Sequence, residues 1–340
     1  MARHHRGNPA ASLRVEKLYG LPVLLSGVAA LTLLKSELDT LSFHYKETLQ
    51  GLLRLHRKTP DCVVFFLGGS LPLPALLHIK QLVLFCMILN LPNNILNTIA
   101  RYKLTRNSDC NRSWFSNIKS LCFQYNLPHP LLLLDYPPDK EDFKKAVKSK
   151  VQDFWQGKLR HDASVLSSLK FFHPEYMSLS SPHPLWLSCD GNPYEVQKAV
   201  VQSRMLSGRY RDDRFTRHFS GKSGECSLCL LVSPDVVAPQ GDLTHILQVC
   251  PALEARRALL YEYWNFLTAN SEVCKNLTDV YTVQNNDYKM QFLLDCAALP
   301  PVIQAVQEKG VHVSQLIFKL TRTFCYSVHR ERLKQLGCWC

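Results

Sequence analysis

The chain has 340 residues, 46% hydrophobic and 20% charged, with 40 Lys and Arg against 28 Asp and Glu and a formal net charge of +12. That length suffices for two or three domains with ample core, and the positive balance points to an acidic partner, either nucleic acid or an anionic membrane surface. The 13 cysteines are odd in number and scattered, which argues against a secreted disulfide scaffold and for reduced thiols in the nucleus or cytoplasm.

Residues 1–14 read as a disordered tail. Arg3, Arg6, Arg14 and Lys17 precede an uncharged run from Leu18 to Leu34. The run resembles a signal anchor but is slightly short for a span and holds Pro22 near its start. Its right flank continues as an amphipathic helix, with Leu34, Leu38, Leu41, Tyr45, Leu49 and Leu52 on one face and Lys35, Glu37, Asp39, Lys46 and Glu47 outside. Two further apolar runs, VVFFLGGSLPLPALL and LVLFCMILNLP, are broken by Gly, Pro, His78 and Lys80. Buried helices of a bundle account for all three runs, and neither a membrane partner nor secretion is expected.

Turns at Thr59-Pro60 and Leu91-Pro92-Asn93-Asn94 separate the helices of this first part. Residues 105–140 are irregular. Asp139 can then cap the helix EDFKKAVKSKVQDFWQGKL, whose apolar face carries Phe143, Val147, Val151, Phe154 and Trp155. A loop-rich stretch over 161–192 leads to a helix over about 193–207. Beyond Cys250, ALEARRALLYEYWNFL and HVSQLIFKLTRTFCYSVHRERLKQL read as helices, the second basic and amphipathic. No segment alternates with period two for long and no repeat is evident, so the fold expected is mainly α.

The most informative pattern is C-x2-C-x15-H-x4-C, formed by Cys226, Cys229, His245 and Cys250. Two thiolates across an x2 turn face one ion, and a His and a Cys about one helical turn apart supply the other two ligands. Zn2+ takes four such ligands in a tetrahedron, and a closed Cys3His shell leaves no position open for catalysis. One structural zinc is therefore expected. The intervening loop holds Ser233, Pro234, Pro239, Gln240, Gly241 and Asp242, all turn formers, and Asp242 or Thr244 can cap the segment that carries His245.

An arginine-rich approach precedes the first ligand. Arg204, Arg209, Arg211, Arg214, Arg217 and Lys222 interleave with Tyr210, Phe215 and Phe219. Arginines grip phosphates, and aromatic rings offer platforms for any base, so the segment is a candidate nucleic-acid contact; the plain alternative is a solvated helix face. In the tail, Arg322, His329, Arg330 and Arg332 offer a second basic set, which either grips nucleic acid or closes a bundle with a basic outer face.

Enzyme motifs fail on inspection. Tyr210-Arg211-Asp212-Asp213 spells the Y-x-D-D of reverse transcriptases, but its flanks are polar and basic rather than apolar strands. Gly221-Lys222-Ser223 imitates a phosphate-binding loop, yet Thr216 stands where its first glycine belongs. No G-x-S-x-G or H-E-x-x-H occurs.

Several segments in order, EKLYGLPVLL, NSDCNRSWFSNIKSLCFQYNLPHPLLLL, RMLSGRYRDD, CSLC with HILQVCPAL and LIFKLTRTFCYSVHRERLKQLG, make the chain similar to the C-terminal part of polyproteins from non-LTR (LINE-like) retrotransposons. The resemblance runs from about residue 15 to the end. It implies a thumb-like helical segment over 15–104, an irregular and helical connector over 105–192, and a C-terminal domain over 193–340 holding a CCHC zinc knuckle at 226–250. It also implies binding to RNA or single-stranded DNA, with duplex DNA and a reverse transcriptase palm in trans as further partners, and no small-molecule substrate. The endonuclease and the polymerase aspartates of such proteins have no counterpart in these 340 residues, so no enzymatic activity is expected. The alternatives are a zinc-organised protein–protein scaffold and an inert element remnant.

Overall fold

The computed structural model describes residues 7–91, 95–106, 113–220, 224–233, 237–270, 285–310 and 312–337. Among them the architecture is helical throughout, and the single extended pairing is an antiparallel bridge between Glu225 and Gln240. Mainly α is thus the fold class.

The first group of helices forms around Asp61–Gly68 and Leu73–Leu89. Their side chains include Val63, Val64, Phe66, Leu82 and Phe85, all fully buried, and removing such surface from water stabilises by roughly 1.5–3 kcal/mol per large side chain. The turn between the two helices needs glycine. Gly69 sits at φ 53°, and a Cβ there would meet the Ser181 backbone at 1.9 Å. Helix Lys140–Ser164 packs along Leu73–Leu89. Its cap is Asp139, whose Oδ1 accepts from the backbone N–H groups of Glu141 at 2.9 Å and Asp142 at 3.0 Å. Phe143, Val147 and Val151 are buried as the pattern requires, but Phe154 is 40% exposed. It lies within the arc of that stripe by helical projection, and it meets Tyr125 edge-on.

No single helix among the described residues is long and apolar enough to cross a membrane. Asp61–Gly68 and Leu73–Leu89 pass that test only as a pair bent by 62°, and here they are core.

The first apolar run behaves differently from expectation. Glu16–Gly20 and Leu21–Leu24 continue the helical backbone from residue 15, with one wide turn, and Gly27 at φ 74° then turns the chain into Val28–Ala30. Leu18, Tyr19, Val23 and Leu31 lie on the surface rather than in the core. Upstream, Pro9–Val15 is a helix where a disordered tail was expected. Asn8 caps it by accepting from the Ala10 N–H at 2.9 Å, and Leu13 anchors it, fully buried. Arg3 and Arg6 lie outside the described residues.

The second group is built on the tail helix, His312–Gln335. Helices Pro193–Leu206, Glu254–Asn270, Asn286–Leu294 and Pro300–Lys309 pack against it. Val313, Ile317, Phe318, Cys325 and Val328 form its buried face. The buried side chains from Leu13 to Val328 make one continuous cluster, so both groups of helices share a core.

Candidate metal centre and basic face

The metal motif folds around a closed neck. The Cys226 N–H donates to the Pro239 carbonyl at 2.8 Å and the Gly241 N–H to the Gly224 carbonyl at 3.0 Å. Beyond Cys226 the chain enters helix Ser227–Val232, and the Cys226 carbonyl accepts from the Leu230 N–H at 3.1 Å. That first turn puts Cys226 and Cys229 on one side. Asp242 then caps the second ligand segment, as its position suggests, accepting from the His245 N–H at 2.8 Å. A wide turn over His245–Val249 brings the Cys250 N–H back onto the His245 carbonyl at 2.8 Å. Gly241 is required by crowding, since a Cβ would stand 2.6 Å from Asp213 Oδ2 and 2.9 Å from Cys226 Cα.

The four predicted ligands come together. One ligand atom from each of Cys226, Cys229, His245 and Cys250 lies within 4.8 Å of every other. Cys250 Sγ is 3.8 Å from both Cys226 Sγ and Cys229 Sγ, and Cys229 Sγ is 3.3 Å from His245 Nε2. All three thiols are free, and the separations are far above the ~2.05 Å of a disulfide. Ionisation of one opposes ionisation of the others. The Cys226 thiol is pulled down to about 3, chiefly by the Cys250 hydrogen bond. Burial raises Cys229, and the hydrogen bond to Cys226 raises Cys250 far above its usual range. One thiolate can form at the expense of its neighbours, and only a bound cation lets all three ionise together. This donor set could therefore hold a metal ion.

Asp213 ties the centre to the tail helix. Its Oδ2 accepts from the Ser227 N–H at 3.1 Å, and its Oδ1 from Ser227 Oγ at 2.8 Å and from Arg332 Nη2 at 2.9 Å. Asp212 Oδ1 accepts from the Phe215 N–H at 2.6 Å, an N-cap to helix Asp213–Ser220. Both carboxylates of the Y-x-D-D lookalike are thus engaged in holding the fold.

The basic residues divide. Tyr210 is buried rather than available to a base, with its hydroxyl 3.1 Å from His329 Nδ1 and its ring beneath the Arg332 guanidinium. Arg332 is buried too, bound to Asp213 and to the Arg211 carbonyl at 3.0 Å. Arg322 is fully enclosed, with Nε on Glu195 Oε2 at 2.7 Å, Nη2 on the Ser188 carbonyl at 2.8 Å and Nη1 on Ser188 Oγ. Each guanidinium is buried against a carboxylate, so Arg322 and Arg332 close the bundle rather than face a ligand, although Arg332 Nε meets no acceptor. His329 is half-buried; burial first, then Arg332 and Arg204, push it down to about 4. Arg330 remains exposed, as do Arg204, Arg211 and Arg214, with Arg209 and Phe215 half-buried. Arg217 lies on helix Asp213–Ser220, but its side chain, like Lys222, falls outside the described residues.

The fold adds cations that sequence reading missed. The Arg204 guanidinium donates to the Arg54 carbonyl at 3.3 Å, and Lys58 joins Arg204, Arg209 and Arg211 around His56. His56 registers the crowding, lowered by burial and then by Arg211, Arg209, Arg204 and Lys58. The local run Arg54-Leu-His-Arg-Lys58 was the available signal. Its partner lies 150 residues away.

No family model, curated protein or solved structure matches the chain.

Proposed function

We propose that the chain is a non-catalytic, zinc-stabilised nucleic-acid-binding module related to the C-terminal part of non-LTR retrotransposon proteins. The observation that carries this reading is the placing of four closed ligands beside an arginine-rich face. In a tetrahedron with metal–sulfur bonds of about 2.3 Å, neighbouring sulfurs stand about 3.8 Å apart. The Cys250 sulfur keeps 3.8 Å from both of its partners, which supports Zn2+. Three thiolates and one imidazole fill its shell, so the ion would staple the fold and present Arg209, Arg211 and Arg214 to phosphates. With Tyr210 buried, grip would come mainly from charge, giving weak sequence preference and steep salt dependence on RNA or single-stranded DNA.

The test begins with metal content per folded chain. One zinc is expected in the wild type and none in the Cys226→Ser, Cys229→Ser double variant; a well-folded, metal-free wild type would end the proposal. Next, Arg209, Arg211 and Arg214 are changed to Ala together. Oligonucleotide affinity should fall, and its salt slope should flatten by about 0.7 for each single-strand phosphate that is no longer neutralised.

A protein–protein scaffold is the second reading. It would use the exposed apolar side chains Leu18, Tyr19, Val23, Leu31 and Phe43 as contact surface. A zinc-loaded chain with no affinity for any nucleic acid would select it.

A further inference from the structure

A cleft of about 560 Å3 lies on the surface of the second helical group, lined by Tyr194, Lys198, Arg256, Tyr326, Arg330 and Lys334, with Glu331 its one carboxylate. None of the metal ligands contributes to it. Its size is that of a small-ligand site, about 300–1,000 Å3. Four cations line it against Glu331. Arg256 Nη2 holds that carboxylate at 2.7 Å with Gln335 Nε2 at 3.2 Å, and Lys198 is buried on Glu195, so the excess positive charge is that of Arg330 and Lys334. Glu195, behind the cleft, is shared between Lys198 Nζ at 2.7 Å and the buried Arg322.

An aromatic platform stands among these cations. Tyr194 is 46% exposed. Its ring is set by a T-shaped contact with Tyr326, centroids 5.5 Å apart, and by Lys198 Nζ lying 4.7 Å from its centroid. A merely solvated helix face offers mobile lysines without a positioned ring. A half-exposed ring fixed beside several cations matches the two surfaces of a nucleotide, a flat base and a charged phosphate.

We infer that this cleft takes one nucleotide unit of a single strand, with its base on Tyr194 and its phosphate beside Arg330 and Lys334. The inference rests on the nucleic-acid reading above and adds a contact point separate from the arginines of 204–214. It supplies the stacking that the buried Tyr210 does not.

The test compares two probes on the zinc-loaded full chain by fluorescence anisotropy and competition: a labelled single-stranded RNA dodecamer, and inorganic polyphosphate, which has the charge but no bases. Tyr194→Ala should weaken the dodecamer about tenfold and leave polyphosphate competition unchanged, while Tyr194→Phe keeps wild-type affinity. The pair Arg330→Ala, Lys334→Ala should weaken both probes. Photo-crosslinking of a 5-iodouracil dodecamer to the wild type should mark the peptide holding Tyr194, and this arm does not depend on any variant folding. If the wild type binds but Tyr194→Ala binds equally well, or loses both probes equally, the cleft is overturned and the nucleic-acid reading stands. A crosslink confined to residues 204–214 has the same meaning. A wild type that binds no dodecamer overturns both.

Discussion

Two sets of arginines share residue type, and the fold treats them in opposite ways. Arg322 and Arg332 of the tail helix are buried on Glu195 and Asp213, while Arg204 and Arg211 stay exposed and gather with Lys58 around His56. The difference is the reach of a carboxylate. Where Glu195 or Asp213 neutralises the guanidinium and a backbone carbonyl takes a further donor, burial is tolerated. Where neighbouring cations crowd instead, as around His56, the charge stays at the surface and becomes available to an external anion.

The comparison breaks most readily through stability. Arg322→Met removes one of the two cations on Glu195 and leaves the Ser188 acceptors unmet, and should cost about 3 kcal/mol in urea unfolding. Oligonucleotide affinity per folded molecule should be unchanged. Wild-type stability in that variant would show that the pair contributes nothing.

Acid gives the next largest effect. His78, through burial, and His329, through burial and then Arg332 and Arg204, are both lowered to about 4, against about 6.5 for free histidine. The unfolded chain takes up these protons first. The stability involved is complete above about pH 6.5 and is lost as pH falls towards 4, at most about 3 kcal/mol per residue. His78→Gln and His329→Gln should each flatten the curve of urea midpoint against pH in that window. A wild-type curve already flat there would refute the assignment.

Changes in the exposed set should spare stability. Arg204→Ala with Arg211→Ala should move unfolding by no more than about 0.5 kcal/mol per site, yet weaken binding in a salt-dependent manner. A loss of several kcal/mol would erase the distinction between the two sets. The smallest signal is the His56 titration itself. A polyanion seated on Arg204, Arg209 and Arg211 should raise its pKa, visible as a shifted imidazole titration by NMR. An unmoved titration with saturating oligonucleotide would place the anion elsewhere.

What the sequence made legible was local. The Asp139 cap, the helices 193–206 and 312–335, and the four ligands with Asp242 behind them all depend on residues within a few turns of each other or on ligand spacing. What it hid depended on distance. Arg322 meets Glu195 across 127 residues and Ser188 across 134, and nothing in the periodicity of the tail distinguishes it from the exposed Arg330. The run 18–34 has the composition of a core helix, but Gly27 turns the chain before it can present a continuous face. Tyr210 has the neighbours of a base platform, and only the packing of the tail helix turns it inward.

The place of the tail helix in the chain has a consequence for how the protein is made. Synthesis runs from the first residue, so Glu195, Gln202 and Asp213 leave the ribosome more than a hundred residues ahead of Arg322, Thr321 and Arg332, the partners that satisfy them. Until that last helix is released, the ribosome carries a nascent chain whose second helical group holds polar groups awaiting their partners. Contacts of such long separation form slowly. Chaperones would meet this protein chiefly in that interval.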